Sequence, residues 1–390
     1  MLDPAADGAA AAIDIKRRIR TRMAKKKTKH SAAVAAAAHG HGRTKLPMVR
    51  IDSYNLEVRD EQGFVGDQAS QTAFRKLLDD WRKRRRARGK KDPLGDTPSA
   101  DLTKKELDES LKKKIASEAT DVVHGAIEEF AEELVQVIKR FLRQRAWRDV
   151  QRIVIGGGFP ESDVGERAIL QAAALFHAED LPVELARLRH DVDDGGLLGW
   201  LQLAPPRLLK DYDAILALDL GGTNARCGIV RPRLKKAADL SRAKVVRRAK
   251  WRHADDAPKR AALVDGLAGM VEDMVRHARK KGIALAPFVG IACPGLIRDD
   301  GSIARGAQNL PGNWEDDRFH LPTALARRLP AIDGKPVQVM MHNDAVVQGL
   351  SELPFMQDVR RWAVLTIGTG LGNASYVNRK RRAAKPKRPR

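Results

Sequence analysis

Three apolar runs of this 390-residue chain stop at clustered glycines, and that pattern restricts the fold more than any other feature. The first, AILALDLGGTNARCGIV at 214–230, turns at Gly221 and Gly222 and returns at once into a second apolar run, which makes it a β-hairpin. The second, VLTIGTGLGNASYV at 364–377, repeats that design. The third, IVIGGGF at 153–159, is a strand whose glycines lead into a helix. Outside these runs, Val122, Ala126, Phe130, Leu134, Val137 and Phe141 recur at helical spacing, as do Leu263, Leu267, Met270, Met274 and Ala278. FVGIAC at 288–293, VQVMM at 337–341 and AVLTI at 363–367 read as further short strands. Strands interleaved with helices predict an α/β protein with mainly buried sheets.

Composition decides which classes remain. Hydrophobic residues make up 43% and charged residues 31%, which suits a soluble enzyme with a sizeable core. No apolar run reaches the length of a bilayer span. The Ala-rich start is broken by Asp3, Asp7 and Asp14 and is not read as a secretory signal. Cys227 and Cys293 alone cannot make a disulfide framework or a four-cysteine zinc site, and they favour a reducing cytoplasm. Of the net charge of +22, residues 1–50 carry +9 and residues 379–390 carry +8, leaving +5 for the body. KRRIRTRMAKKKTKH followed by AAVAAAAHGHG is therefore expected to form a disordered basic arm over 1–50, with a basic tail at 379–390. Such ends suit electrostatic binding to nucleic acid or an anionic surface, or simple solubilisation. WRKRRRARGKK at 81–91 reads as the exposed end of a helix.

Small residues in a turn let backbone N–H groups approach phosphate oxygens, and Asp219 at the first strand's end is placed to hold Mg²⁺. Thr223 and Asn224 add side-chain donors beside Gly221 and Gly222. One such turn alone is ordinary hairpin geometry; two hairpins and a triple glycine in one chain favour phosphate binding. An acceptor site is read between the hairpins. CPGLIRDDGSIARGAQNLPGNW at 293–314 supplies Gly295, Asn309 and Asn313, and MHNDAVVQGLSE at 341–352 supplies Asn343 and Asp344. Asp344 alone would be read as a helix N-cap. At a strand's C-terminal end it also stands where a general base belongs.

At these residues the chain resembles the ROK (repressor, open reading frame, kinase) family of sugar kinases and sugar-responsive regulators. LDLGGTNARCGIV resembles the family's first phosphate motif, LTIGTGLGNA its second, PG…NLPGNW its sugar stretch, HNDA its catalytic motif and IVIGGGF its adenosine-side motif. The resemblance covers roughly 60–210 and 213–378. It implies a two-lobed actin-like, hexokinase-like ATPase fold with ribonuclease H-like lobes, ATP and Mg²⁺ as cofactors, and an ATP-dependent kinase of a hexose or related polyol, glucokinase-like. In this reading Asp344 is the general base, and Asn309, Asn343, Asp67 and Gly295 meet the sugar. Gly221, Gly222, Thr223, Asn224, Gly368, Thr369 and Gly370 cradle phosphates, with Mg²⁺ at Asp219. Gly157 and Gly158 leave room for the nucleoside. A homodimer is also allowed.

The motif order departs from the family. The adenosine-side segment comes first, HDVDDGGLLGW at 190–200 resembles the family's closing helix, and the chain stops just past the second phosphate motif. A circular permutation explains this. It predicts that Arg50 lies beside Asn378 at the surface and that 153–155 and 363–367 share one sheet. The larger lobe would be 51–190 with 345–378, and the smaller lobe 191–344. The family's Glu-x-x-His pair and cysteine cluster are missing, so no structural zinc is expected. GFVGDQAS at 63–70 puts Asp67 where the family has a glutamate. Two other readings stand beside the kinase: a weak or inactive sugar or nucleotide sensor using its basic ends on nucleic acid, and a kinase fed by polyphosphate. Removing 1–45 and 380–390 is expected to leave folding and turnover nearly unchanged.

Overall fold

A computed structural model describes residues 41–61, 63–112 and 118–379. Ten strands build two five-stranded sheets: β1 (Val49–Tyr54), β2 (Arg152–Gly156), β3 (Glu184–Arg187), β4 (Ala214–Leu220), β5 (Ala225–Arg231), β6 (Lys244–Trp251), β7 (Leu285–Cys293), β8 (Gln338–Asn343), β9 (Arg361–Ile367) and β10 (Leu371–Asn378). The helices that matter here are α1 (Gln71–Ala87), α2 (Lys104–Lys112), α3 (Glu118–Leu142), α4 (Asp163–Ala178), α5 (Val192–Leu198), α6 (Arg260–Lys280), α7 (Leu321–Arg328) and α8 (Asp344–Glu352).

One sheet has the order β6-β5-β4-β7-β8, the other β1-β10-β9-β2-β3. In the first, β4, β5 and β6 form an antiparallel meander, and β7 and β8 follow parallel to β4. In the second, β9, β10 and β1 form the meander, and β2 and β3 follow parallel to β9. Order and polarity are therefore the same in both sheets. Only the second has the chain's first strand beside its last, with Val49 opposite Asn378 and Arg50 opposite Val377. Ile153 pairs with Ala363 and Ile155 with Leu365, so both geometric expectations are met.

The helical patterns read from the sequence are core faces. Val122, Ala126, Phe130, Leu134, Val137 and Phe141 on α3 are buried, and so are Leu263, Leu267, Met274 and Ala278 on α6. α5 and α8 lie in a third core that draws residues from both sheets, including Ile215 and Ala217 of β4 and Val364 of β9. Tyr376 on β10 stacks on Trp362 with centroids 4.0 Å apart and donates its hydroxyl to the Val346 carbonyl of α8 at 2.9 Å. Gly349 makes room for it, since a Cβ there would stand 2.2 Å from that hydroxyl.

Two expectations are corrected. The arm does not extend to residue 50: His41, Gly42, Leu46 and Val49 are buried, so a deletion through residue 45 would cut into packed structure. The expected basic arm upstream and the tail at 380–390 lie outside the described residues. The 81–91 cluster is not wholly exposed either. Arg82 is buried, because its guanidinium folds the following loop back through Asp92, Gly95, Thr97 and Ser99.

Candidate functional site

Parallel strands β4, β7 and β8 end together, with Asp219 opposite Ala292 and Cys293 opposite Asn343. In open α/β sheets this carboxyl edge is where ligands bind. The first turn of α8 is capped by Asn343, whose Oδ1 accepts the Val346 N–H at 3.1 Å. Its Nδ2 donates to the Gly295 carbonyl and to Asp344 Oδ1, both at 3.0 Å. Asn343, expected to meet the sugar, is 2% exposed, and its side-chain amide is bonded within the protein, including to Asp344. The cap reading of Asp344 falls because Asn343 holds the cap. Asp344 Oδ1 also accepts the Ala345 N–H at 2.8 Å. Burial, and then the nearby Asp219 charge, push the Asp344 carboxyl up to about 6. Cys293, between the two aspartates' strands, is held well above a normal thiol value by burial and by those charges, and so is no nucleophile.

Asp219 belongs to a row of charges that strand register creates. Asp219 pairs with Arg226, and Arg226 with Lys250, on three adjacent strands. Arg226 Nη1 stands 3.2 Å from Asp219 Oδ2, and its Nε donates to Asp193 on α5. Lys250 Nζ lies 3.1 Å from Asp193, and Arg248 Nη1 lies 2.7 Å from Asp194. Burial raises the Asp219 carboxyl, and Arg226 partly offsets it. Gly196 lies against Asp219; a Cβ there would be 2.7 Å from the carboxylate carbon. No group of three metal-ligating side chains occurs among the described residues. One carboxylate still fits Mg²⁺, which commonly takes one or two carboxylates and fills its shell with waters and phosphate oxygens.

The first glycine turn is braced from outside. Gly221 donates its N–H to the Asn224 carbonyl at 2.9 Å, and the Ala254 N–H reaches the Thr223 carbonyl at 3.2 Å. His253, 1% exposed, donates from Nε2 to the Gly221 carbonyl at 2.8 Å. Thr223 and Asn224 are half-buried. Gly222 abuts the acceptor stretch: its Cβ would lie 3.0 Å from the Asn309 Cβ. Asn309 itself is exposed. Gly295 has φ +101° and lies under the Arg305 carbonyl, where a Cβ would come within 2.6 Å.

The second turn is tied to α1. Gly368 donates to the Gly370 carbonyl at 2.9 Å, while Gln71 N–H and Thr72 Oγ1 donate to the carbonyls of Gly368 and Thr369. Gly157, at φ +85°, touches the same hairpin, since a Cβ there would be 2.5 Å from the Ile367 carbonyl oxygen. Gly158 accepts from Lys104. Gln71, Phe74, Arg75, Lys104, Phe159 and Ser162 line a small recess beside it. Asp67 is exposed in the short turn Val65–Ala69, where Gly66 neighbours Leu371 of this hairpin. The structure thus makes two groups. Asp219, Gly221–Asn224, Gly295, Asn309, Asn343 and Asp344 cluster on one sheet; Asp67, Gly157, Gly158 and Gly368–Gly370 cluster on the other. α8 touches both, because Gly372 sits beside Ala345.

Arg226, Asp193 and His253 were not singled out from sequence. Arg226 had a signal: a hairpin turning at 221–224 puts residue 226 opposite Asp219. Asp193 and His253 had none, since 26 and 34 positions separate them from Asp219 along the chain.

The model of the ROK family matches residues 215–383. No curated protein matches the chain. Among solved structures, a "putative sugar kinase" from Cytophaga hutchinsonii is 21% identical with TM-score 0.31. Lmo2764 of Listeria monocytogenes, a "putative N-acetylmannosamine kinase", is 23% identical with TM-score 0.30. Each likeness covers 42% of this chain and 47% of the other, so the chain spans about half the length of the structures it matches. The segment that matches the family, 215–383, holds both glycine hairpins, Asp219, Gly295, Asn309 and Asp344.

Proposed function

We propose that this protein transfers the γ-phosphoryl group of ATP to a hydroxyl of a hexose or similar polyol, as a circularly permuted sugar kinase of ROK type. Asp344 carries the reading. It is a carboxylate relieved of capping duty, aimed by Asn343, raised to about 6, and set at the strand ends beside the first glycine hairpin. A base with that pKa is mostly ionised at neutral pH and still takes a proton readily. In the proposed reaction it accepts the hydroxyl proton as the substrate oxygen attacks. Asn309 and the Gly295 segment border the sugar, and Asp67 would reach it on lobe closure. Backbone N–H groups of Gly222–Asn224 and of Thr369 and Gly370 would face the phosphates, with Gly221 and Gly368 holding the two turns through their own N–H bonds, and Gly157 and Gly158 would leave space for the nucleoside. Mg²⁺ bound at Asp219 would neutralise phosphate charge, which phosphoryl transfer depends on. Residues 51–190 with 345–378 would form one lobe and 191–344 the other.

Purified protein incubated with ATP or polyphosphate and a panel of hexoses and amino sugars is expected to phosphorylate at least one sugar with ATP. Hydrolysis without transfer to any of them would sink the reading. The permutation is supported by the matching strand order of the two sheets, and it has its own test. A chain opened at Asp213, with residue 379 joined to residue 41 by a flexible linker, should fold and keep its turnover. Loss of cooperative unfolding in that chain would count against it.

A further inference from the structure

Among the described strands, β8 is the edge of its sheet. The Met341 N–H, three residues before Asp344, is donated to Nδ1 of His41 at 2.7 Å, and His41 is only 4% exposed. From the same segment, the Arg43 carbonyl accepts from His342 Nε2 at 3.2 Å. The other nitrogen of His342 accepts the Asn343 N–H at 2.7 Å, and Asn343 in turn aims Asp344. Gly42, at φ +55°, is pressed onto Ile297, where a Cβ would stand 2.6 Å from the carbonyl oxygen. Leu46 is buried and its N–H turns back to Val49, the first residue of β1 in the other sheet. Residues 41–46 therefore run from the meander of one sheet to the outer edge of the other, where they meet the strand that ends at Asn343, just before Asp344.

We propose that residues 41–46 are a strap across the two sheets, and that His41 is a positioning residue that fixes the end of β8 and, through His342 and Asn343, the Asp344 carboxylate. The effect on turnover rests on the kinase reading; the strap itself does not. To accept at Nδ1, His41 must be neutral with its proton on Nε2. Asn can place a carbonyl oxygen near the Nδ1 position, whereas Ala cannot.

The experiment compares the full chain, a deletion of 1–40, His41→Ala and His41→Asn. It reads hydrogen exchange at the Met341 amide and steady-state kinetics with ATP and the best sugar of the panel. The deletion keeps every contact named above and is the reference against which the His41 variants are read in the same background. In His41→Ala, Met341 exchange should accelerate by ~10-fold or more and turnover should fall by roughly 10-fold, with the ATP KM within about twofold. His41→Asn should recover most of both. If His41→Ala does not fold, His41→Gln makes the same comparison, because its amide reaches the Nε2 position instead. Unchanged Met341 exchange would overturn the strap. Faster exchange with unchanged turnover would overturn the positioning role. Should the wild-type chain phosphorylate no sugar, the kinase reading falls alone and the exchange comparison still decides the strap.

Discussion

Asp344→Asn is expected to remove turnover while making the folded protein more stable. Asn keeps the shape of the side chain and can still accept the Ala345 N–H and the Asn343 amide, but it cannot take a proton. Loss of a positioned base lowers turnover by ~10²-fold or more. Helix capping should be untouched, because the cap is Asn343. The stability effect has a definite sign. The carboxyl rises from 3.8 to about 6 on folding, so the folded state binds the proton more tightly than the unfolded one. Stability from this group is fully present below about pH 4 and is lost as pH climbs through 6. Two pKa units correspond to about 3 kcal/mol, and partial solvent contact lowers this to on the order of 2 kcal/mol. Asp344→Asn should recover that amount at pH 8 and little at pH 4. Urea midpoints at the two pH values test the sign. Wild-type turnover should rise as pH passes 6. Near-normal turnover in a folded Asp344→Asn protein would remove Asp344 from the mechanism. Glu352, at the other end of α8, is fully buried and raised to about 7, chiefly by burial, so the mutant should still lose some stability between pH 4.5 and 7.

Gly199→Ala should be the most damaging single methyl in the structure. A Cβ at Gly199, just after α5, would lie 1.7 Å from the Val347 carbonyl oxygen in α8. Gly195 meets Gln348 on the same helix, with 3.2 Å to its Cγ. These glycines let α5 and α8 cross at close range between the sheets. The obstacle at Gly199 is backbone, so no rotamer change relieves it and the helices must separate. A loss of about 3 kcal/mol or more is expected, at the upper end of overpacking costs. Because Asp344 opens α8 and Gly196 of α5 lies against Asp219, activity should fall with it. Gly269→Ala on α6 is the control: nothing lies within 4 Å of its Cβ position, and the change should be neutral or stabilise by about 0.5–1 kcal/mol. Equal urea midpoints for the two variants would show that the crossing is not close-packed.

Much of the architecture is visible in local pattern. The faces of α3 and α6, the two glycine hairpins, and the position of Asp344 at a strand end all follow from spacing of three to four or two residues, because those periods arise from backbone geometry alone. Even the Asp219–Arg226 pair follows from counting out from the turn. What spacing could not decide is which of several polar groups at one place takes which partner. Asn343 and Asp344 are adjacent and both can cap a helix; only the Gly295 carbonyl, brought in from β7's far end, gives Asn343 the cap and leaves Asp344 as the candidate base. His41 read as part of a low-complexity arm because its neighbours have no apolar period. Its role comes from one amide, the Met341 N–H that it accepts, on an edge strand three hundred residues away. The sequence by itself determined where strands, turns and helices lie and which polar residues and glycines stand at the strand ends, since these depend on short-range periodicity and side-chain type. Only the tertiary structure decided how α5, α8 and residues 41–46 hold the two sheets together and aim Asp344, since long-range hydrogen bonds and steric contacts leave no periodic trace in the chain.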